Sequence, residues 1–132
     1  MRPLLLLGIF SGSTARRAAL RCTWAAKLSA RSEGTVRLLF VVGAATGEPL
    51  GDLREQGGDE LRVPVLEGQK AHRADAHSQT KRGVAHGTIT KQLKVIAFLK
   101  WTAMQHVPLI GLADDDVFVS VPMLVAVARL LD

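Results

Sequence analysis

The chain has 132 residues, a mass of 14.2 kDa and a formal net charge of +5 at pH 7. This length allows one domain and argues against two. The single cysteine, Cys22, excludes an intramolecular disulfide framework and a cysteine-based zinc ribbon. Aromatic residues make up only 5% of the chain, and its basic segments alternate with acidic ones. A nucleic-acid binder would need stacking surfaces and one basic stripe, so we do not expect this chain to bind nucleic acid.

The first part of the chain predicts a strand, a helix and a second strand. The continuous apolar run Leu4–Phe10 is typical of a strand buried on both faces, although its seven residues also fit the core of a signal peptide. Ser13 or Thr14 then offers an N-cap for a helix through residues 15–30. Val36–Val42 is a second run of the buried-strand type, closed by a glycine.

The remainder continues the alternation of strands and helices. Pro64 has no backbone donor, so its strand is expected at an edge of the sheet. The predicted elements are at most a short helix near Leu50–Glu55, an edge strand over Leu61–Leu66, a polar loop over Glu67–Gly87, a helix over Thr88–His106, a strand over Val107–Ala113, an apolar alternation over Val117–Val121 and a final helix over Pro122–Leu131.

This order of elements predicts the fold class. Strands that alternate with helices are typical of an α/β domain with a mostly parallel sheet and helices on both faces. Ligands in such sheets bind beyond the carboxyl ends of the strands. We therefore look for chemistry where the apolar runs end.

Three consecutive carboxylates, Asp114-Asp115-Asp116, follow the predicted strand over Val107–Ala113. Close carboxylates repel one another and raise one another's pKa unless a cation neutralises them. Mg²⁺ or Mn²⁺ with a phosphate-bearing substrate is the usual solution. In an extended segment Asp114 and Asp116 would share one side and Asp115 would lie opposite. The alternative is an acidic turn that caps the next element.

Three nucleotide- or phosphate-handling chemistries place acids after an apolar strand. A P-loop ATPase is excluded, because the turn over Gly8–Thr14 lacks the required lysine. A phosphatase would use Asp114 as the nucleophile of an aspartyl-phosphate intermediate, with Asp116 and Val117 completing its motif. A nucleotide-sugar transferase would use the Asp-x-Asp motif to hold a metal on the diphosphate.

Four segments carry a resemblance to the β-1,3-galactosyltransferase family, glycosyltransferase family 31. The helix segment RAALRCTW resembles the family's Arg-x-x-Ile-Arg-x-Thr-Trp signature, and DDDVFV resembles its metal motif. Residues 67–90 depart from the family pattern. The similar segments are Leu6–Ser11, Arg17–Trp24, Arg37–Gly43 with Glu48 and Gly51-Asp52 after it, and Lys91–Trp101 followed by Asp114–Val119.

The resemblance implies a Rossmann-like, glycosyltransferase A-type sheet and a role for each matching residue. Asp114 and Asp116 would hold Mn²⁺ or Mg²⁺, and Arg17, Arg21, Asp114 and Asp115 would bind the nucleotide sugar. The enzyme would be an inverting hexosyltransferase that moves galactose or an N-acetylhexosamine from a UDP-sugar to a hydroxyl of a glycan or glycoprotein. A non-catalytic nucleotide-binding remnant is the alternative, beside the phosphatase.

The resemblance also sets expectations for the rest of the protein. Residues 1–132 would form the donor-binding half of a catalytic domain, with the acceptor half and the catalytic base outside the chain. Family members are Golgi membrane proteins held by an N-terminal anchor, which Leu4–Phe10 is too short to provide. Lys91 is a candidate ion-pair partner of the acidic motif, Trp24 is expected in the core, and Cys22 is expected to be partly buried.

Overall fold

The computed structural model describes residues 2–31, 34–68 and 88–131. The strands and helices alternate along the chain. They are β1 Leu5–Phe10, α1 Thr14–Arg21, α2 Trp24–Arg31, β2 Val36–Ala44, β3 Arg54–Gln56, β4 Glu60–Leu66, α3 Thr88–Ala103, β5 Leu109–Asp114 and α4 Val121–Leu131.

The strands of the described residues form one five-stranded sheet in the order β3-β4-β2-β1-β5. β1 lies between β2 and β5 and pairs in parallel with both, so that Leu7 lies between Leu38 and Gly111. β2 pairs in parallel with β4, and only β3 runs antiparallel to its neighbour. The prediction of a mostly parallel α/β sheet is therefore confirmed.

Helices cover both faces of this sheet, as the alternation predicted. Alternate side chains of a strand point to opposite faces, and the two sets on β1 enter two separate cores. Leu5, Leu7 and Ile9 pack with α1, α2 and α4, whereas Leu6 and Phe10 pack with α3. Both sets are buried, which explains why β1 is apolar at every position.

Gly8 marks the closest approach of α3 to the sheet. A Cβ at this position would lie 2.7 Å from Cζ of Phe98. The ring of Phe98 is fully buried and makes an edge-to-face contact with Phe10 at 5.9 Å between centroids. The absence of a side chain at Gly8 lets α3 pack directly against β1.

The single helix predicted over residues 15–30 is wrong, because the chain breaks between α1 and α2. The Thr23 hydroxyl donates to the carbonyl of Ala19 at 3.0 Å, and the Thr23 N–H donates to Leu20. Threonine side chains compete with the backbone in this way and interrupt helices. Trp24 begins α2 in the core, as predicted, whereas Cys22 in the break is exposed rather than partly buried.

The short helix predicted near Leu50–Glu55 is also wrong. Arg54–Gln56 instead forms β3, an antiparallel hairpin with β4. The loop over residues 57–59 contains Gly57 and Gly58 at φ +64° and +83°, a backbone region that glycine enters without strain. β4 is not the edge strand that Pro64 predicted, because it lies between β2 and β3. β3 pairs only with residues 60–62, so Pro64 lies on the part of β4 that β3 does not reach.

Two boundaries near the carboxyl end differ from the sequence prediction. α3 ends at Ala103, before the exposed His106, whose φ is +54°. The apolar alternation of Val117–Val121 is not a strand, and α4 begins at Val121. Within the described ranges, none of the helices combines the length and the apolar character needed to cross a membrane.

Candidate functional site

The side on which the chain adds strands to the sheet reverses at β1, so that β2 and β5 lie on opposite sides of it. The first crossover, through α1 and α2, leads from β1 to β2 on one side. α3 packs on the opposite face and precedes β5, which returns to the other side of β1. Open α/β sheets bind ligands beyond the carboxyl ends of the strands at such a reversal. In this chain Ser11 and the acidic turn over residues 114–116 lie there.

The acidic turn gives its three carboxylates different surroundings. β5 ends at Asp114, and the chain turns at Asp115 and Asp116, so the extended geometry considered from the sequence does not occur. Asp114 forms an ion pair with Nζ of Lys91 at 2.7 Å, which confirms the predicted partner. Asp115 accepts a hydrogen bond from the Ser11 hydroxyl at 2.8 Å.

Asp115 is largely buried and committed to the protein, because Arg16 also donates to it at 3.2 Å. Asp116 is exposed, and it forms no hydrogen bond or ion pair with any residue that the structure describes. The carboxylates able to take an external cation are therefore Asp116 and, in exchange for Lys91, Asp114.

Among residues 2–31, 34–68 and 88–131, no three or more His, Cys, Asp or Glu side chains are grouped to hold a metal ion. Mg²⁺ is commonly bound by one or two carboxylates, with phosphate and water oxygens as the other ligands. Asp114 and Asp116 would be the two carboxylates of a site of this kind, which needs phosphate and water oxygens as its other ligands. The histidines at positions 72, 77 and 86 lie outside the described residues.

Ser11 is the centre of a buried polar network beneath the acidic turn. It is only 1% exposed. Its carbonyl accepts from Nζ of Lys94 at 3.2 Å and from Nη1 of Arg17 at 3.4 Å. Lys94 also pairs with Glu67, which accepts the Gly43 N–H at 2.7 Å. Buried charges are tolerated when they are paired and hydrogen-bonded in this way.

Of this network only Arg17 was predicted as a site residue; Ser11, Glu67 and Lys94 were not. Burial lowers the pKa of Lys94, and the neighbouring Arg17 cation adds to the effect, while Glu67 and Asp115 oppose it. A signal for it was present in the sequence. Lys94 lies four residues before Phe98 and seven before Trp101, which places it on the face of α3 that carries these two rings towards the sheet.

The two arginines predicted to face a nucleotide both have carboxylate partners within the chain. Arg17 is buried and lies 3.5 Å from Glu60. Arg21 donates two hydrogen bonds to Asp59, at 2.7 and 3.0 Å, and its guanidinium lies 4.9 Å above the ring centroid of Phe40. The hydrogen bond to Asp59 raises the pKa of Arg21. That these arginines face a uridine diphosphate stays a prediction.

A small pocket of about 170 Å³ opens at the carboxyl ends of β1 and β5. Its wall brings together one acidic residue of the turn, two lysines of α3 and the loop after β1. The lining residues are Phe10, Ser11, Gly12, Glu67, Gly68, Thr90, Lys91, Lys94 and Asp114.

A larger groove of about 470 Å³ lies between α2 and β2. Its lining includes Arg21, Phe40 and Asp59, so Arg21 belongs to this groove and not to the pocket beside Asp114. We take the smaller pocket as the candidate site, because it lies at the carboxyl ends of β1 and β5 and is lined by two ion pairs, Lys91 with Asp114 and Lys94 with Glu67.

The comparisons with known proteins add no family assignment. No model of a protein family matches the chain. No curated protein matches it either.

Proposed function

We propose that this chain binds a UDP-sugar as the donor-binding part of a metal-dependent hexosyltransferase of the β-1,3-galactosyltransferase type. The observation that carries the proposal is the acidic turn at the carboxyl end of β5, beside the end of β1 at the reversal of the sheet. Ligands of open α/β sheets bind at this place. The resemblance of the segments around Arg17–Trp24 and Asp114–Val119 supplies the substrate class.

The proposal assigns the carboxylates separate tasks. Asp116 and Asp114 hold Mn²⁺ or Mg²⁺. A bound divalent ion would supply charge neutralisation on the departing diphosphate. Asp115 keeps the turn against β1, because its two oxygens are held by Ser11 and Arg16. Lys91 holds Asp114 before the cation arrives.

The cationic groups around the pocket favour a phosphate-bearing ligand. Lys91 is exposed at its wall, where its ammonium group pairs with Asp114. Arg17 and Lys94 lie just beneath Ser11 and contribute positive potential there. The donated sugar in this proposal is galactose or an N-acetylhexosamine, the acceptor is a hydroxyl of a glycan, and no residue of this chain is assigned the role of base. A Golgi membrane location belongs to the same proposal and rests on the resemblance alone.

Isothermal titration of the full chain with UDP in the presence of Mn²⁺ tests the donor site. Asp116→Asn is the decisive variant, because Asp116 is exposed without a partner among the described residues and its loss leaves the fold intact. We expect affinity for UDP and Mn²⁺ to fall by about tenfold or more in Asp116→Asn, and to be lost with a chelator. Asp52→Asn is the matched control, since Asp52 is exposed far along the chain from the acidic turn.

Two further outcomes separate the rival interpretations. Measurable hydrolysis or transfer of a UDP-sugar by the chain would exclude the alternative of a non-catalytic nucleotide-binding remnant. Covalent labelling of Asp114 by a phosphate mimic such as beryllofluoride, with no binding of UDP, would replace the proposal by the phosphatase. Equal UDP affinity in Asp116→Asn and the unaltered chain would also overturn it.

A further inference from the structure

Four parts of the chain meet at Ser11. Its carbonyl accepts hydrogen bonds from Arg17 of α1 and Lys94 of α3, and its hydroxyl donates to Asp115 in the acidic turn. Glu67, after β4, completes the set by pairing with Lys94. The last residues of β1 are thus held from both faces of the sheet.

Lys94 is placed to control the loop between β1 and α1. Its ammonium is buried between the Ser11 carbonyl and the Glu67 carboxylate. Glu67 in turn lies against this loop, because its Oε2 would be 3.0 Å from a Cβ on Gly12. Gly12 lines the candidate pocket. Loss of Lys94 would therefore release Ser11 and Glu67 together, beside the pocket wall.

A purely stabilising role does not explain a charge at this position. Burying an ammonium and a carboxylate costs free energy that their pairing only partly returns, so an apolar pair of similar volume would serve packing as well. Burial of Lys94 also lowers its pKa, which records the cost of keeping the charge there. What the ammonium supplies and an apolar side chain cannot is the directed bond to the Ser11 carbonyl.

We propose that Lys94 is a positioning residue of the donor pocket, which fixes the loop over residues 11–13 and, through the Ser11 hydroxyl, the acidic turn. This inference rests on the proposed function for its meaning. Lys94 itself touches no ligand in it. It acts through Ser11, whose hydroxyl donates a hydrogen bond to Asp115 and so fixes the position of the turn that carries Asp114 and Asp116.

The test compares three variants of the full chain. Lys94→Met with Glu67→Gln removes both charges and leaves no buried carboxylate without a partner, so folding is retained. Lys94→Arg keeps a cation able to donate to Ser11. Lys100→Met is the matched control, because Lys100 is exposed in the last turn of the same helix. The readouts are the melting temperature, the amide resonances of residues 12, 13, 115 and 116, and the affinity for UDP with Mn²⁺.

The double variant is expected to melt close to the unaltered chain, to shift the resonances of the loop and the acidic turn, and to bind UDP about tenfold more weakly. Lys94→Arg is expected to recover most of that affinity, and Lys100→Met to change none of the readouts. Shifted resonances in a chain that never binds UDP would overturn the proposed function and preserve the coupling between loop and turn. Unchanged resonances and affinity in the double variant would overturn the positioning role.

Discussion

Arg17 and Arg21 are the same residue type, one helical turn apart on α1, and they have different environments. The side chain of Arg17 is 7% exposed and lies beneath the Ser11 carbonyl, next to Glu60. The side chain of Arg21 is 38% exposed, stacks on Phe40 and forms two hydrogen bonds with Asp59. From the sequence both were candidates for binding a phosphate. In the structure Arg17 belongs to the buried polar network around Ser11, whereas Arg21 lines the groove between α2 and β2.

The difference teaches how burial divides the tasks of a charged residue. A guanidinium at a wet surface gains little from an ion pair, because water screens it. A buried guanidinium whose partners are fixed is expensive to remove, because its partners lose their compensation. Arg17 therefore supports the candidate site by donating to the Ser11 carbonyl, whereas Arg21 covers the ring of Phe40 on β2.

The largest expected effect comes from Arg17→Met. The substitution keeps much of the side-chain volume and removes the cation between Ser11 and Glu60. Glu60 would keep only distant partners, Arg21 at 3.7 Å and Arg62 at 3.9 Å. We expect the free energy of unfolding to fall by about 3 kcal/mol, measured by urea titration. Arg16→Met is the control, since Arg16 is mostly exposed, and an equal loss in both variants would contradict the comparison.

The pH dependence of stability tests Lys94, the other cation beneath Ser11. Because burial lowers its pKa in the folded chain, the folded state releases this proton at a lower pH than the unfolded state does. Between these two pKa values the unfolded state holds more protons, so the free energy of unfolding rises with pH by at most about 1.4 kcal/mol per unit. Below that window the charged Lys94 costs stability.

The measurement is urea unfolding at several pH values between neutral and about 10.5, the ordinary pKa of lysine, for the unaltered chain and Lys94→Arg. Arginine stays charged throughout, so the rise should be absent from that variant. Lys100→Arg serves as the comparison for an exposed lysine and should retain the rise. Parallel curves for the unaltered chain and Lys94→Arg would mean that Lys94 keeps its proton in the folded chain to the same pH as in the unfolded one.

The smallest of these effects is expected for Arg21→Met. Methionine can still pack on Phe40, so the variant loses the two hydrogen bonds to Asp59 and the cation over the ring. Discounted for the exposure of the pair, the cost is about 1 kcal/mol. Raising the salt concentration should reduce the difference between this variant and the unaltered chain. A loss as large as that of Arg17→Met would erase the distinction between the two arginines.

Elements with a strong one-dimensional pattern were predicted from the sequence. β1 lies within a continuous apolar run and β2 is largely apolar, because both of their faces are covered. α3 was predicted from its many apolar positions, but these do not mark its buried face, because Leu93, Ile96 and Leu99 are at least 40% exposed. β3 has no such pattern, since all three of its residues are exposed. It is a strand because it pairs with β4, and the conformational preferences of its own residues do not predict that pairing.

The acidic turn shows the same division at the candidate site. Its position at the end of a strand, and the ion pair of Asp114 with Lys91, were both predicted from the chain. The apolar sequence of that strand also predicted burial on both faces, which is wrong, because β5 lies at an edge of the sheet and its Ile110 and Leu112 are 42% and 49% exposed. The separation of Asp115 from its neighbours was not, because it depends on Ser11, which lies 104 residues away along the sequence.

The sequence by itself determined a single-domain length, an alternation of strands and helices, and a cluster of carboxylates where an apolar strand ends. Only the tertiary structure decided which charges are buried and what they hold. Lys94 donates to the carbonyl of Ser11, which lies 83 residues away in the sequence. Arg17 is buried and Arg21 is partly exposed, although they lie one helical turn apart. The physical reason is that hydrophobic periodicity is local, whereas burial of a charge depends on every element that packs around it.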